Sequence, residues 1–328
     1  MKKIYNLGGR NKAIVLLKFF AALLITWSHL RLLFPRYDFL VTGGALGDGM
    51  FFYCSGFTLF LGRDRGFANW YKRRISRIYP SVICWALLSA VAFGWVWSVT
   101  DLMTTPKYWF LPCIMVYYAI LYIIRRLLLG YIKAVFVISF LVVTLASFFI
   151  LDLDHSVMYA QVSFMRIYYF MFMLMGAMAA IGKKQDVVMA TSPMRSLGKF
   201  VLSVALYYAF MAFFKLGPIY CHFQMLSLVP LLLSIHYFFI LCSNEKVLSV
   251  FDRPLIGNVV YVISSLTLEV YLVQYAVFSD RLNGIFPFNI VITYLLIFVL
   301  AYVLKCLSNL FLQVFGLGDI DWKRIVAL

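Results

Sequence analysis

Ten apolar stretches, each close to the length that crosses the hydrocarbon of a bilayer, divide this chain of 328 residues. They run roughly over 13–34, 45–62, 79–99, 108–124, 132–151, 163–182, 199–216, 222–242, 259–279 and 288–312. Hydrophobic residues make up 64% of the chain and charged residues 13%, more apolar surface than one water-soluble core of this length buries. Lipid is therefore the expected solvent. The runs are too long and too uniformly apolar for the alternating strands of a membrane barrel. The expected fold is an all-α integral membrane protein, a bundle of about ten transmembrane helices. Connections are short and no linker or repeat marks a second unit, so one domain over 1–328 is expected, with no soluble domain appended. The first run is too long for a signal-peptide core and lacks a small-residue cleavage site, so it counts as a retained span.

A net charge of +16 points to nucleic acid in a soluble protein, but membrane proteins collect lysine and arginine in their cytoplasmic loops. No nucleic-acid partner is expected. Of the 29 Lys and Arg residues, Arg31, Arg36, Lys107, Arg166, Lys215 and Arg281 fall on one side of the ten-span arrangement. Lys18 lies inside the first span, and all the others, Lys305 among them, fall on the opposite side. That asymmetry places both termini in the cytosol. The six cysteines, Cys54, Cys84, Cys113, Cys221, Cys242 and Cys306, stand singly in or beside apolar runs and read as packing residues, with no metal site implied.

Ionisable groups inside hydrocarbon are costly and usually face a polar cavity, which makes the few such positions the best functional pointers. Lys18 and His29 are eleven residues apart. On a continuous helix that spacing brings them within about 20° of one face, separated by about 16 Å. Taken singly, Lys18 also fits a residue that reaches for the headgroups, and His29 one near the interface. A neutral histidine in a cavity can act as general base. A carboxylate would orient it, and the candidates are Asp48, at the start of the second span, and Glu269, within the ninth. Asp48 also fits a helix-start residue near the N-terminal dipole. Arg166 fits either an interfacial anchor or a group that holds a polar ligand. The segment from Arg63 to Pro80 is the strongest basic patch, and part of it fits an interfacial helix on anionic lipid. Within it Arg74 and Arg77 lie one turn apart, a spacing that lets two guanidiniums meet one phosphate-rich ligand such as coenzyme A.

Taken in order, these features resemble bacterial acyltransferase family 3, integral membrane enzymes that O-acylate surface polysaccharides, lipid-linked sugars and related acceptors. Lys18 followed by His29 is similar to the family's basic residue ahead of an essential histidine. Gly47 to Phe57, GDGMFFYCSGF, resembles its Gly, acid, Phe-Phe and Ser-Gly-Phe motif. Arg74 to Pro80 is similar to its paired arginines before an Ile-aromatic-Pro turn. Weaker echoes are Trp109-Phe110-Leu111, Arg166 with Gly176 downstream, and the stretch from Ser264 to Gln274. Gln274 stands where many members have histidine. His155, His222 and His236 carry no motif and read as loop or packing residues.

The resemblance implies catalysis through His29, supported by Asp48 or Glu269. It implies binding of an acyl-CoA donor or the acceptor by Lys18, Arg74, Arg77, Arg166, Ser55 and Tyr271. The expected acyl group is acetyl, the expected acceptor a hydroxyl of a cell-surface polysaccharide, lipid-linked sugar or related molecule. No resident cofactor is implied, acyl-CoA being a substrate, and the location implied is the bacterial inner membrane. Direct transfer and an acyl-histidine intermediate are both open to such a site. A secondary transporter or flippase for a polar solute would also use intramembrane charges, although no matched pair of Gly/Pro-broken spans is visible. A structural partner in an export complex is a third reading, and oligomeric state is not legible.

Overall fold

The computed structural model describes residues 9–34, 36–62, 66–98, 101, 108–150, 158–184, 192–213, 216–217, 220, 222–316 and 319–328, with only the backbone at 184 and 222. Arg63, Arg65, Lys107, His155, Lys215 and Cys221 lie outside the described residues. Every regular element among the described residues is helical. The main ones are α1 (Lys12–Trp27), α2 (Gly44–Leu61), α3 (Phe67–Phe93), α4 (Phe110–Leu127), α5 (Ile132–Ile150) and α6 (Val162–Tyr168). They continue with α7 (Phe170–Lys184), α8 (Pro193–Phe213), α9 (Leu228–Cys242), α10 (Pro254–Ser265), α11 (Thr267–Val277) and α12 (Phe288–Val314).

Among the described residues, seven helical segments are long and apolar enough to cross a membrane: Phe67–Phe93, Phe110–Leu127, Leu129–Ile150, Val162–Lys183, Pro193–Phe213, Phe223–Cys242 and Phe288–Val314. The protein is a multi-pass membrane protein. Its outer helices present large apolar side chains outward, as α5 does with Leu141, Leu145 and the 81%-exposed Phe149. Such surface is stable only against lipid.

Four expected spans differ in detail. The first helix stops at Trp27, with Ser28 as its C-cap, and a 3-10 turn, Leu30–Leu33, follows. His29 is thus off the helix, and the eleven-residue phase argument linking it to Lys18 does not hold. The third span and the described part of the basic patch form one 27-residue helix, α3, so Arg74 and Arg77 ride on the same rod as the apolar segment. The sixth is interrupted at Tyr169 and the ninth at Leu266, where α10 gives way to α11.

The centre of the bundle is α2, packed between α1 and α7 with α4 and α9 alongside. Small residues make this possible. At Gly56 a Cβ would collide with the Met173 carbonyl of α7, and at Gly176 one would collide with the Tyr53 carbonyl of α2. The two backbones touch, the helix association that small residues permit where no water drives burial. Around this contact Phe52 of α2 packs on Phe110, Tyr117 and Tyr169. The far end of α2 is closed by Arg125, whose guanidinium donates to the carbonyls of Leu59 (2.6 Å) and Gly62 (2.7 Å) and lies over Trp70, its carbon 5.4 Å from the ring centroid.

Replacing Gly56 with leucine should force α2 and α7 apart, destabilising the fold by about 1–3 kcal/mol or more. Thermal unfolding of detergent-purified Gly56→Leu should show a lowered midpoint, and an unchanged midpoint would contradict the contact.

Candidate functional site

Two polar clusters lie along α1, one at each end. At the end where α1 finishes, the exposed His29 ring meets Tyr275 of α11, with 3.2 Å between Nε2 and the phenol oxygen and 5.1 Å between ring centroids. The turn that carries His29 is fixed from α12 and the loop before it. Buried Asn289 donates to the Leu33 carbonyl (2.9 Å) and to Asn283 Oδ1 (3.0 Å), while Asn283 donates to the Leu32 carbonyl (3.0 Å). Tyr294 donates to the Leu23 carbonyl (2.9 Å), and Trp27 to that of Leu40 (2.9 Å). A histidine held at its backbone while its ring stays accessible is suited to meeting a ligand.

Asp48, half-buried on α2, lines a small pocket with Ile25, Phe51, Phe110, Thr267, Leu268 and Tyr271. Tyr169 lies within hydrogen-bonding reach of its carboxylate, and Tyr271 and Tyr275 are close enough to feel its charge. Asp48 makes no hydrogen bond or ion pair with His29. The link between them runs through the neighbourhood of Tyr275. Arg166 is exposed, its carbonyl accepting from Tyr117 (3.0 Å), and it and Asp48 both lie near Cys113.

At the end where α1 starts, Arg77 and Arg10 each lie close enough to repel Lys18, and Arg74 senses Arg77 in the same way. Arg74 is sandwiched by aromatic rings, its guanidinium carbon 5.1 Å from the Trp70 centroid and 5.8 Å from that of Tyr118. Its Nε is buried without a partner. Arg10 donates to Ser265 (3.3 Å), beside the break between α10 and α11, and stacks on Tyr261. Ser55 hydrogen-bonds back to the Phe51 carbonyl (3.0 Å) and faces Tyr118. None of Arg10, Lys18, Arg74 and Arg77 is paired with a carboxylate among the described residues. Convergent cations without a counter-ion form a ready site for an anion.

Glu269 belongs to neither cluster. It is buried among three helices, accepting from Ser81 of α3 (2.9 Å) and from Lys305 of α12 (3.4 Å). The structure thus corrects two readings. Glu269 is not brought to His29, and Lys305 is not a loop cation but stands on α12 and pairs with Glu269 within the bundle. Lys305 falls inside the apolar run 288–312, so its position in the sequence carried the signal. Tyr275 and Asn289 were not legible there, because a tyrosine and an asparagine in apolar runs have many ordinary uses.

A family profile described as an acyltransferase domain, that of acyltransferase family 3, matches residues 11–309. No curated protein and no solved structure matches the chain. The matched stretch contains all of α1 to α11 and both polar clusters except Arg10, which lies just before it.

Because the His29 ring is exposed while His236 is half-buried, diethyl pyrocarbonate should modify His29 before His236. Mass-spectrometric mapping of partially modified protein checks the order, and preferential labelling of His236 would contradict the geometry.

Proposed function

The chain belongs to acyltransferase family 3 and is an acyltransferase; from that premise we propose that it moves an acyl group, acetyl in the first instance, from cytosolic acyl-CoA to a hydroxyl of a cell-surface polysaccharide, lipid-linked sugar or related acceptor. The observation that carries this reading is the pair of clusters along α1, unpaired cations at one end and an accessible histidine at the other. The cations suit the phosphates of coenzyme A, with Arg74 and Arg77 at the rim, Lys18 farther along the wall and Ser55 beside the path. We place that end in the cytosol, with ten crossings of the bacterial inner membrane and both termini inside, in keeping with the distribution of Lys and Arg.

The acceptor approaches from the other end, where Tyr271, Asp48 and Arg166 are the candidates for holding it. With Nε2–H donating to the Tyr275 oxygen, the His29 lone pair resides on Nδ1, ready to take the proton of the acceptor hydroxyl. The hydroxyl oxygen adds to the thioester carbonyl, the C–S bond breaks, and the thiolate of coenzyme A takes up the proton from the imidazolium. The products are an ester and free coenzyme A. Asp48, near Tyr275, favours the positive charge that develops on the ring. Transport of a polar solute would use similar charges, but the family match favours acyl transfer.

Membranes carrying the protein should incorporate label from radiolabelled acetyl-CoA into a glycan or lipid fraction. His29→Ala, at matched abundance, should lower the rate on the order of 10²–10⁴-fold. Tyr275→Phe should lower it about tenfold, through loss of the orienting hydrogen bond. Arg74→Ala and Arg77→Ala should chiefly raise the KM for acetyl-CoA. Equal labelling by wild type and His29→Ala would sink the catalytic assignment.

A further inference from the structure

The buried polar node around Glu269 is the part of the molecule that this mechanism leaves without a task. Its side chain is 3% exposed and that of Lys305 25%. Ser81 donates to Glu269 Oε1 at 2.9 Å, Lys305 Nζ lies 3.4 Å from the same oxygen, and Ser308, one turn beyond Lys305, sits 3.1 Å from Ser81 Oγ. Ser81 and Ser308 are themselves buried. Three helices, α3, α11 and α12, therefore converge on one carboxylate oxygen.

Each of the first two carries part of the proposed reaction. Ser81 is one turn along α3 from Arg77, in the anion cradle. Glu269 stands in the first turn of α11, which farther along presents Tyr271 to the Asp48 pocket and Tyr275 to His29. At about 100° per residue, Tyr271 and Tyr275 lie about 40° apart, whereas Glu269 points about 160° from Tyr271. The carboxylate thus faces away from the pocket and toward α3 and α12. It is poorly placed to touch substrate and well placed to fix the helix that does. With 11 residues, α11 is shorter than a membrane span and starts at a break, so a fixed point in its first turn sets its register.

We propose that Lys305 is a positioning residue for acyl transfer: by pairing with Glu269 it locks α11 to α3 and α12, and so sets the separation between the cation cradle and the His29–Tyr275 pair. The proposal rests on the acyl-transfer reading. Small misplacements of reacting groups are costly to rate while leaving donor affinity intact. Lys305 acts through Glu269, not on substrate.

The test is a double-mutant cycle of Lys305→Met, Glu269→Gln and the two combined, read by thermal unfolding of purified protein and by acetyl-CoA labelling kinetics in membranes. Each single substitution leaves one partner of the node alone, and the combination replaces the pair by neutral groups of similar shape. Both singles should melt lower than wild type, and the double variant should lose less than their sum. Lys305→Met should lower kcat by at least about tenfold, with the KM for acetyl-CoA within about threefold, and the double variant should return most of that kcat. Strictly additive melting shifts would overturn the pairing. A double variant that melts like wild type yet labels as slowly as Glu269→Gln would overturn the positioning role and give the carboxylate a chemical one. Absence of any protein-dependent labelling would remove the acyl-transfer reading and the positioning role with it, while the melting cycle still judges the ion pair.

Discussion

Hydrocarbon offers no hydrogen bonds, and the arrangement of this protein follows from that single constraint. A polar group within the spans must find a partner, line a cavity or remain unsatisfied at a cost of several kcal/mol. The chain meets it in two ways. Helices satisfy their own backbones, and the ends and breaks that helices leave open are closed by side chains, as Arg125 closes α2 and Asn289 holds the turn after α1. The ionisable side chains inside the bundle gather into a cation cradle, an acid-lined pocket with its neighbouring histidine, and an ion pair whose carboxylate is buried.

The three sets differ in how far their charge is compensated, and that difference separates scaffold from working surface. Glu269 and Lys305 compensate each other and Glu269 accepts from Ser81 besides, so the carboxylate needs no ligand. Arg77 lies close enough to repel both Lys18 and Arg74, with no carboxylate paired to any of the three among the described residues, which is unfavourable until an anion arrives. His29 has one neutral partner and an accessible ring. The donor proposed above, with phosphates at one end and a thioester at the other, would suit this sequence of environments along α1.

Close packing at α2 gives the clusters their fixed relation. Its glycines bring it against α7, and its aromatic residues dock α4 and Tyr169, so Asp48 and Ser55 are carried on a helix with little freedom to shift. By contrast α1 and α11 are short and interrupted near the site. Irregular backbone within a membrane protein is tolerated where it is buried in protein or borders a cavity, and His29 and Thr267 stand at two such interruptions.

The membrane class, the helical fold and most of the candidate residues were determined by the sequence alone, because hydrophobic run length and misplaced charge are local properties. Lys18, His29, Asp48, Arg74 and Arg77 stand out in any linear reading for that reason, and the Gly47 to Phe57 and Arg74 to Pro80 motifs gave the family. Partnership is not local. Whether Glu269 faces His29 or Lys305 depends on how α11 is rotated after the break at Leu266, and no periodicity within α11 itself sets that rotation. The end of α1 at Trp27 likewise places His29 against Tyr275, some 246 residues along the chain, by packing against α11 and α12. Which charges meet was decided by tertiary structure, since in lipid a polar group takes whichever partner the packing of the helices brings within reach.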